Sequence, residues 1–301
     1  MNMSKLTHRH KPIRTFPEYQ AMVERTDEGK KLMVSLLGLA GELGDINSTF
    51  KKLVLQPDSR TFRNDLREDM GDILWYLTSL AIYYKIPLQD VARESARKAE
   101  RLYSHGEVNR FDDGFDEEER LPRQFSVSFS EKRNGKQLLV RIMINDVIVG
   151  DTLTDNAHKG DGYRYHDVFH LAYAAVLGWS PVTRSILRRK RKSNKRIDEI
   201  EDGGRAIVVE EAISVLVFNE APQRSWYREE SSVDIGQLKT IIRLTTGLEV
   251  YRCTAKQWKA AILLGYSAFT QLKNHCGGRV DVDLDRQSLT YHPPSVSKGA
   301  S

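Results

Sequence analysis

The sequence predicts a mainly α-helical protein, in which an N-terminal four-helix bundle precedes a second, mostly helical domain with small β-hairpins. Apolar residues recur every three to four positions from Phe16 to about Tyr103, as the buried face of a helix requires. Apolar and polar residues then alternate over 125–129, which is typical of a half-buried strand. Helical periodicity resumes near Tyr165 and continues to about His275.

Four helices joined by short connections account for the first of these stretches. The first helix opens at 16–18, where a proline is tolerated because its missing N–H falls in the first turn. The second covers about 30–55 and ends before Pro57. The third covers about 63–84 and the fourth about 88–103. Short loops between amphipathic helices favour a bundle.

An acidic stretch follows the bundle and predicts a linker. Six of the ten residues 111–120 are Asp or Glu, and the predicted linker covers 111–124. The bundle domain then spans 15–110 and the second domain 125–292. Disordered tails are predicted at the two ends, over 1–14 and 293–301.

The second domain is predicted to open with strands and continue with helices. A hairpin-type Asn134-Gly135 turn joins strands at 125–129 and 138–144, and a third strand covers 147–149. The helices that follow are expected at about 165–177, after Pro181, and at 204–220, 233–246 and 254–275. A second hairpin is expected over 279–291.

Composition limits the classes of protein that this chain can be. It has 301 residues, with 46 Lys and Arg against 41 Asp and Glu. A 40% apolar share is enough for packed cores and excludes wholesale disorder. No apolar run approaches the roughly 20 residues of a membrane span, and no secretory signal is visible. With only Cys253 and Cys276, the expectation is a cytoplasmic protein without a disulfide framework or a membrane partner.

One segment carries the net positive charge. Residues 184–196 contain eight Lys or Arg and no acid, so the rest of the chain has a charge of 5 − 8 = −3. Such a run is typical of a surface that contacts nucleotide phosphates or nucleic acid. It is equally typical of a solvated loop, and charge alone does not choose between these readings.

Paired carboxylates on two neighbouring helices are the most informative feature. Glu42 and Asp45 lie three positions apart on the second predicted helix, and Asp69 and Asp72 do so on the third. A spacing of three places each pair on one side of its helix. If the two helices pack together, four carboxylates converge, and oxygen ligands of this kind suit Mg²⁺ or Mn²⁺. The alternative is four ordinary surface carboxylates on amphipathic helices.

Four segments carry a resemblance to a known family: FPEYQAMVERT (16–26), LLGLAGELGDINSTFKK (36–52), EDMGDILWYLTSLA (68–81) and ESARKAERLY (94–103). Together they cover about residues 14–105 and resemble the MazG-like all-α nucleoside triphosphate pyrophosphohydrolases. The signature of that family is E-x-x-E on one helix and E-x-x-D on the next, before an L-W-Y run. Asp45 and Asp69 stand here where the family usually has Glu, which shortens each side chain by one methylene.

The resemblance implies hydrolysis of nucleoside or deoxynucleoside triphosphates to monophosphate and pyrophosphate. It implies that Glu42, Asp45, Asp69 and Asp72 hold Mg²⁺, with Mn²⁺ as the alternative ion, and that a metal-activated water attacks phosphorus. It also implies a homodimer or higher homo-oligomer. The second hypothesis is a catalytically weakened regulatory protein that senses nucleotides or binds nucleic acid through 184–196, in a setting such as phage defence.

Five further residues are candidate substrate contacts. Lys51 and Lys52 lie at the end of the second helix, where they equally suit the helix dipole. Tyr76 shares the carboxylate stripe of the third helix, and Lys98 and Arg101 match family positions on the fourth.

A second polar cluster lies in the C-terminal half. His166 and His170 are four residues apart on one helix face, Asp167 is adjacent, and Glu210-Glu211 lies on a later helix. Two imidazoles and a carboxylate can hold a transition metal. The alternative is hydrogen-bonded histidines with ordinary ion pairs. This half also resembles the C-terminal extension that follows the pyrophosphohydrolase unit in some MazG-like proteins, which implies no particular chemistry.

Overall fold

The structure is a computed structural model that describes residues 12–28, 31–57, 60–135, 137–145, 147–227 and 233–294. The chain divides into two compact units, an N-terminal unit (Met1–Lys98) and a C-terminal unit (Ala99–Ser301). The predicted tails lie mostly outside the described residues. Among the helices that are described, none is both long enough and apolar enough to cross a membrane.

The four helices predicted at the N-terminus are present. They are α1 (Phe16–Thr26), α2 (Leu32–Leu55), α3 (Phe62–Tyr83) and α4 (Leu88–Tyr103). The start of α1 is defined by a capping box, in which Thr15 and Glu18 satisfy each other's backbone N–H groups. Helix α3 packs against both α1 and α2.

Several small polar side chains are buried where these helices meet. The Ser35 and Ser79 hydroxyl oxygens are 2.8 Å apart, and Ser79 also donates a hydrogen bond to Asp27. Leu88 N–H donates to the Gln20 side chain at 2.7 Å, which attaches the start of α4 to α1. Small residues let helix backbones approach closely, so α2 and α3 form a tight pair.

Large apolar side chains remain uncovered on α2. Leu36, Leu43 and Phe50 step by seven residues, and 43%, 52% and 46% of their surfaces are exposed. An apolar groove of about 290 Å³ begins at Leu36 and is also lined by Leu77 and Leu88. Within its described residues, the N-terminal unit leaves this stripe and groove open.

The C-terminal unit contains one five-stranded antiparallel sheet in the order β3-β2-β1-β4-β5. Its strands are β1 (Gln124–Asn134), β2 (Gln137–Ile144), β3 (Val147–Leu153), β4 (Gly277–Asp283) and β5 (Ser288–His292). Phe129 of β1 faces both Ile142 of β2 and Gly278 of β4. The expectation of separate small hairpins is therefore corrected, because β1 joins the two hairpins into a single sheet.

Six helices complete the described part of this unit. They are α5 (Asp167–Leu177), α6 (Pro181–Ile186), α7 (Lys195–Ile200), α8 (Gly204–Glu220), α9 (Ile235–Leu244) and α10 (Ala255–Asn274). Helices α5 and α10 pack together and against the sheet. The core between them is aromatic, with Phe169, Trp258 and Phe269 fully buried. The sequence analysis missed α7, which Asn194 caps.

The segment predicted as an acidic linker is part of the C-terminal unit instead. Asp112 is buried and accepts hydrogen bonds from Arg184 at 2.7 Å, from Arg123 at 2.9 Å and from Leu121 N–H at 2.8 Å. Burial would raise the pKa of Asp112, but these partners, Arg184 foremost, lower it. The boundary between the two compact units lies between Lys98 and Ala99 in the sequence, not at 111–124.

The basic run is also partly internal. Arg184 and Arg191 are buried, and Arg191 pairs with Asp202 and with Glu249, each at 2.7 Å. The solvated-loop interpretation therefore fails for these two arginines, which balance buried carboxylates. Arg188, Lys192, Lys195 and Arg196 remain exposed.

Candidate functional site

The four predicted carboxylates lie on α2 and α3, which pack against each other. Glu42 and Asp45 come from α2, and Asp69 and Asp72 from α3. Partial burial, and then the charges of Asp72, Asp45 and Asp69, raise the pKa of Glu42. All three aspartates thus act electrostatically on one glutamate.

A hydrogen bond from α2 fixes the side chain of Asp69. Thr49 is buried on α2, and its hydroxyl donates a 2.7 Å hydrogen bond to the Asp69 carboxylate. This bond directs Asp69 toward α2, whereas the neighbouring Glu68 is exposed. Asp72 lies close enough to α1 to add to burial in raising the pKa of Tyr19.

The donor set of this carboxylate cluster fits a hydrated divalent cation. Its ligand atoms are all carboxylate oxygens, and their mutual repulsion favours a positive charge among them. No three of these residues bring ligand atoms within 4.8 Å of one another in the described chain. The structure therefore does not bring the four carboxylates together as one ligand set. Mg²⁺ usually takes one or two protein carboxylates directly and fills its other positions with water, so a pair of these side chains is enough to hold it.

The candidate substrate contacts lie in different surroundings. Lys51 and Lys52 are exposed near the end of α2, and Lys98 is exposed on α4. The Tyr76 ring packs on Gly38, where an added Cβ would come within 2.2 Å of it. Arg101 places its guanidinium 4.1 Å from the centre of the Tyr251 ring. Tyr76 therefore fills the α2–α3 contact, and Arg101 is engaged within the C-terminal unit.

The second predicted cluster forms a compact group in the C-terminal unit. Ligand atoms of His166, His170 and Glu211 all lie within 4.8 Å of one another. His166 precedes α5 directly and His170 lies in its first turns, while Glu211 comes from α8. The structure thus brings Glu211 to two histidines that precede it by 41 and 45 positions in the sequence.

A buried carboxylate orients His170. Glu210 accepts from His170 Nδ1 at 2.9 Å, from the Ser180 hydroxyl at 2.6 Å and from Val182 N–H at 2.9 Å. Because Nδ1 faces a carboxylate, it carries the proton. His170 Nε2 is buried and makes no hydrogen bond in the described part of the chain. Glu211 Oε1 faces it at 3.5 Å.

His166 has a similar arrangement. Its Nδ1 is 2.9 Å from the Tyr163 carbonyl oxygen, which only accepts, so Nδ1 again carries the proton. Its ring stacks on Tyr163 with centroids 4.2 Å apart. Its Nε2 lies 3.2 Å from Asp167 and 3.8 Å from Glu211.

Burial and carboxylate charge compete in setting the pKa values of this group. Burial lowers the pKa of His166 against the opposing charge of Asp167. Burial would also lower the pKa of His170, but Glu210 and Glu211 raise it well above its ordinary value. Burial would raise the pKa of Glu211, but His170 and His166 lower it. Burial and the nearby acids, Glu211 first, raise the pKa of Tyr163 to about 12.

The C-terminal unit also carries the similarity to known proteins. Residues 106–295 match the family model described as the MazG C-terminal domain, which is more than half of the chain. The chain belongs to the MazG C-terminal domain family. Membership of this MazG-related family indicates a nucleotide-related function. The predicted MazG-type C-terminal extension is thereby confirmed, while the pyrophosphohydrolase resemblance of residues 14–105 stays a prediction.

A phage protein supplies a second similarity. Over 75 residues the chain is 29% identical to the Gene 37 protein of Mycobacterium phage L5. The match covers 24% of this chain and 66% of the phage protein, just under two thirds of its length. No solved structure matches the chain.

Within this MazG C-terminal domain, the structure distinguishes Glu210 from the other predicted site residues and adds Tyr163 to the group. The prediction includes Glu210 among the candidate ligands, and in the structure its carboxylate contacts His170 Nδ1 and orients that ring. Tyr163 was not singled out, although its carbonyl and ring hold His166. Its position three residues before His166 was the available signal. The structure brings His166, His170 and Glu211 together, with Asp167 beside His166.

Proposed function

We propose that this protein is a Mg²⁺-dependent pyrophosphohydrolase that converts nucleoside or deoxynucleoside triphosphates to monophosphate and pyrophosphate. The observation that carries the proposal is the position of Glu42 and Asp45 on α2 and of Asp69 and Asp72 on α3, two helices that pack against each other. Membership of a MazG-related family supports a nucleotide substrate.

The four carboxylates share one role in this proposal, which is to bind the cation. Asp45, Asp69, Asp72 and Glu42 would hold the cation, and Thr49 keeps Asp69 aimed at α2. When bound, Mg²⁺ neutralises phosphate charge and makes a water molecule more acidic. Lys51 and Lys52 supply exposed positive charge for phosphate oxygens.

A second copy of the chain is part of the same proposal. The stripe of Leu36, Leu43 and Phe50 and the adjoining groove expose apolar surface that one copy leaves open in its described residues. Exposed apolar patches of this kind mark interaction sites. A homodimer that pairs the stripes of two copies would cover them.

Product analysis tests the reaction. The full chain is incubated with Mg²⁺ and a panel of NTPs and dNTPs beside a Glu42→Ala/Asp72→Ala double variant, and the nucleotides are separated by chromatography. Glu68→Ala is the matched control, because Glu68 is an exposed carboxylate beside Asp69. Monophosphate and pyrophosphate should form with the unchanged chain and with the control, and at least about 100-fold more slowly with the double variant. Equal rates in all three proteins would overturn the proposal.

One observation favours a second candidate function, nucleotide sensing without turnover. Asp45 and Asp69 are shorter than the glutamates usual in the related family, and no three of the four residues bring ligand atoms within 4.8 Å of one another in the described chain. In that case nucleotide binds with Mg²⁺ but no product forms. Exposed cations of the basic run, such as Lys192 and Arg196, would then serve nucleic-acid contact. An affinity for DNA that falls steeply with salt supports this candidate.

A further inference from the structure

We propose that His166, His170 and Glu211 form a mononuclear site for Zn²⁺, or a divalent transition-metal ion of similar preference, separate from the carboxylate cluster on α2 and α3. The three ligand atoms converge within 4.8 Å of one another. Nitrogen donors favour such ions over Mg²⁺.

The distances suit one small ion. Ligands held about 2.0–2.1 Å from a tetrahedral Zn²⁺ are separated from each other by about 3.3 Å. Glu211 Oε1 lies 3.5 Å from His170 Nε2, and Glu211 Oε2 lies 3.8 Å from His166 Nε2. Each oxygen of the partly exposed Glu211 carboxylate thus lies a few tenths of an ångström beyond the ligand separation of a zinc site from one of the two imidazoles.

The hydrogen bonds behind the ligands are those of a built site. Glu210 holds His170 Nδ1, and the Tyr163 carbonyl holds His166 Nδ1, so both Nε2 atoms face the same point. Carboxylate and carbonyl partners of this kind orient metal-bound histidines. His170 Nε2 is a fully buried polar atom with no hydrogen bond in the described chain. A buried polar atom without a partner is costly, and a metal ligand bond would satisfy it.

The surrounding charge is matched to a cation. Glu210, Glu211 and Asp167 bring three carboxylates to two imidazoles. The histidines are buried, but 41% of the Glu211 side chain is exposed, so the site opens to solvent on that side. Three protein ligands and an open side leave a coordination position for water or an exogenous ligand, as in catalytic rather than structural zinc sites.

Metal titration of the full chain tests the site. The Glu42→Ala/Asp72→Ala background is used so that the carboxylate cluster contributes little to binding. After chelator treatment, Zn²⁺ binding is measured by calorimetry, and Co²⁺ binding by visible absorption. We expect one equivalent of Zn²⁺ and of Co²⁺, with Co²⁺ displaced by Zn²⁺.

Two ligand variants and one control decide the assignment. Glu211→Gln and His166→Asn should each weaken Zn²⁺ binding by at least about 100-fold, the upper end of effects known for residues behind metal ligands. Glu220→Gln, on the same helix α8, should bind as the background does. Circular dichroism and thermal unfolding of the metal-free proteins show whether the partly exposed Glu211 position tolerates the change. The proposal is overturned if the background binds no Zn²⁺, or if both folded variants bind it unchanged.

Discussion

The two units bury different kinds of side chain. In the N-terminal unit, serines and threonines such as Ser35, Thr49 and Ser79 are buried, while Leu43 and Phe50 are half exposed. In the C-terminal unit, whole aromatic side chains and even arginines are buried. The difference shows that the C-terminal unit buries large side chains in its own core, whereas the N-terminal unit leaves apolar surface exposed in its described residues; in our proposal a second copy covers that surface.

The largest expected effect comes from a substitution that breaks the buried charge network of the C-terminal unit. Arg191→Met leaves Asp202, and part of Glu249, as buried carboxylates without their main partner. Losing one partner of a buried ion pair costs about 3–5 kcal/mol. Urea unfolding at pH 7 should show a loss of this size. The control Arg196→Met, at an exposed position of the same basic run, should change the free energy of unfolding by less than about 0.5 kcal/mol.

Acid should weaken the same unit through Asp112. Because partners such as Arg184 lower its pKa in the folded state, the pair stabilises the fold above the unfolded pKa of about 3.9. That stabilisation is lost as the pH falls through the folded pKa. Hydrogen bonds to charged groups contribute about 1.5–3 kcal/mol, so Asp112→Asn should cost about this much at pH 7. Urea unfolding at pH 7, 5 and 3 measures the difference in the free energy of unfolding between the wild type and Asp112→Asn. This difference should become smaller only at pH 3, and a difference that stays constant contradicts the assignment.

The exposed apolar stripe on α2 provides a test of the N-terminal unit. Leu43→Ser removes an apolar side chain that is about half exposed in one copy. Burying that half in a dimer is worth about 1.4 kcal/mol for each copy, so losing it from both copies should raise the dissociation constant about 100-fold. Analytical ultracentrifugation measures it, with Val208→Ser on α8 as the exposed control. A monomeric wild-type chain would contradict the proposed pairing of stripes.

A pair of glycines on α2 gives the smallest and most local test. Gly38→Ala would place a methyl group within 2.2 Å of the Tyr76 ring, whereas Gly44→Ala meets nothing within 4 Å. Overpacking costs about 1–3 kcal/mol, of which better helix propensity returns up to about 1. Gly38→Ala should therefore lower the free energy of unfolding by about 1 kcal/mol, and Gly44→Ala should raise it slightly. Thermal unfolding that moves both variants in the same direction would show that α2 and α3 are not closely packed at Gly38.

The local patterns of the sequence predicted the elements well. Helices α2 to α4 and α8 lie within two residues of their expected ends, because periodicity, prolines and glycines are local signals. The pairing of β1 with β4 was missed, since it joins strands about 150 residues apart. Helix α7 was missed because its sequence looked like a charged loop.

The polar residues show the same division. The i, i+3 spacing of the carboxylates placed each pair on its own helix correctly, whereas of the two histidines only His170 lies within α5 and His166 is its N-cap. The burial of Asp112 and Arg191 was not predictable, because their partners come from other segments. A charged residue with no visible partner in the sequence is expected to face solvent. Glu210 and Glu211 are neighbours in sequence, yet only the structure separates the orienting carboxylate from the candidate ligand.

The central position of β1 has a consequence for how the chain is made. Strand β1 pairs on one side with β2, which follows at once, and on the other with β4, which ends at Asp283. At translation rates of about 5–20 residues per second, the ribosome needs roughly 8–30 s to supply that second neighbour. During this interval the edge of β1 that β4 will cover is unpaired, so the nascent chain has an open β-edge until β4 has been made.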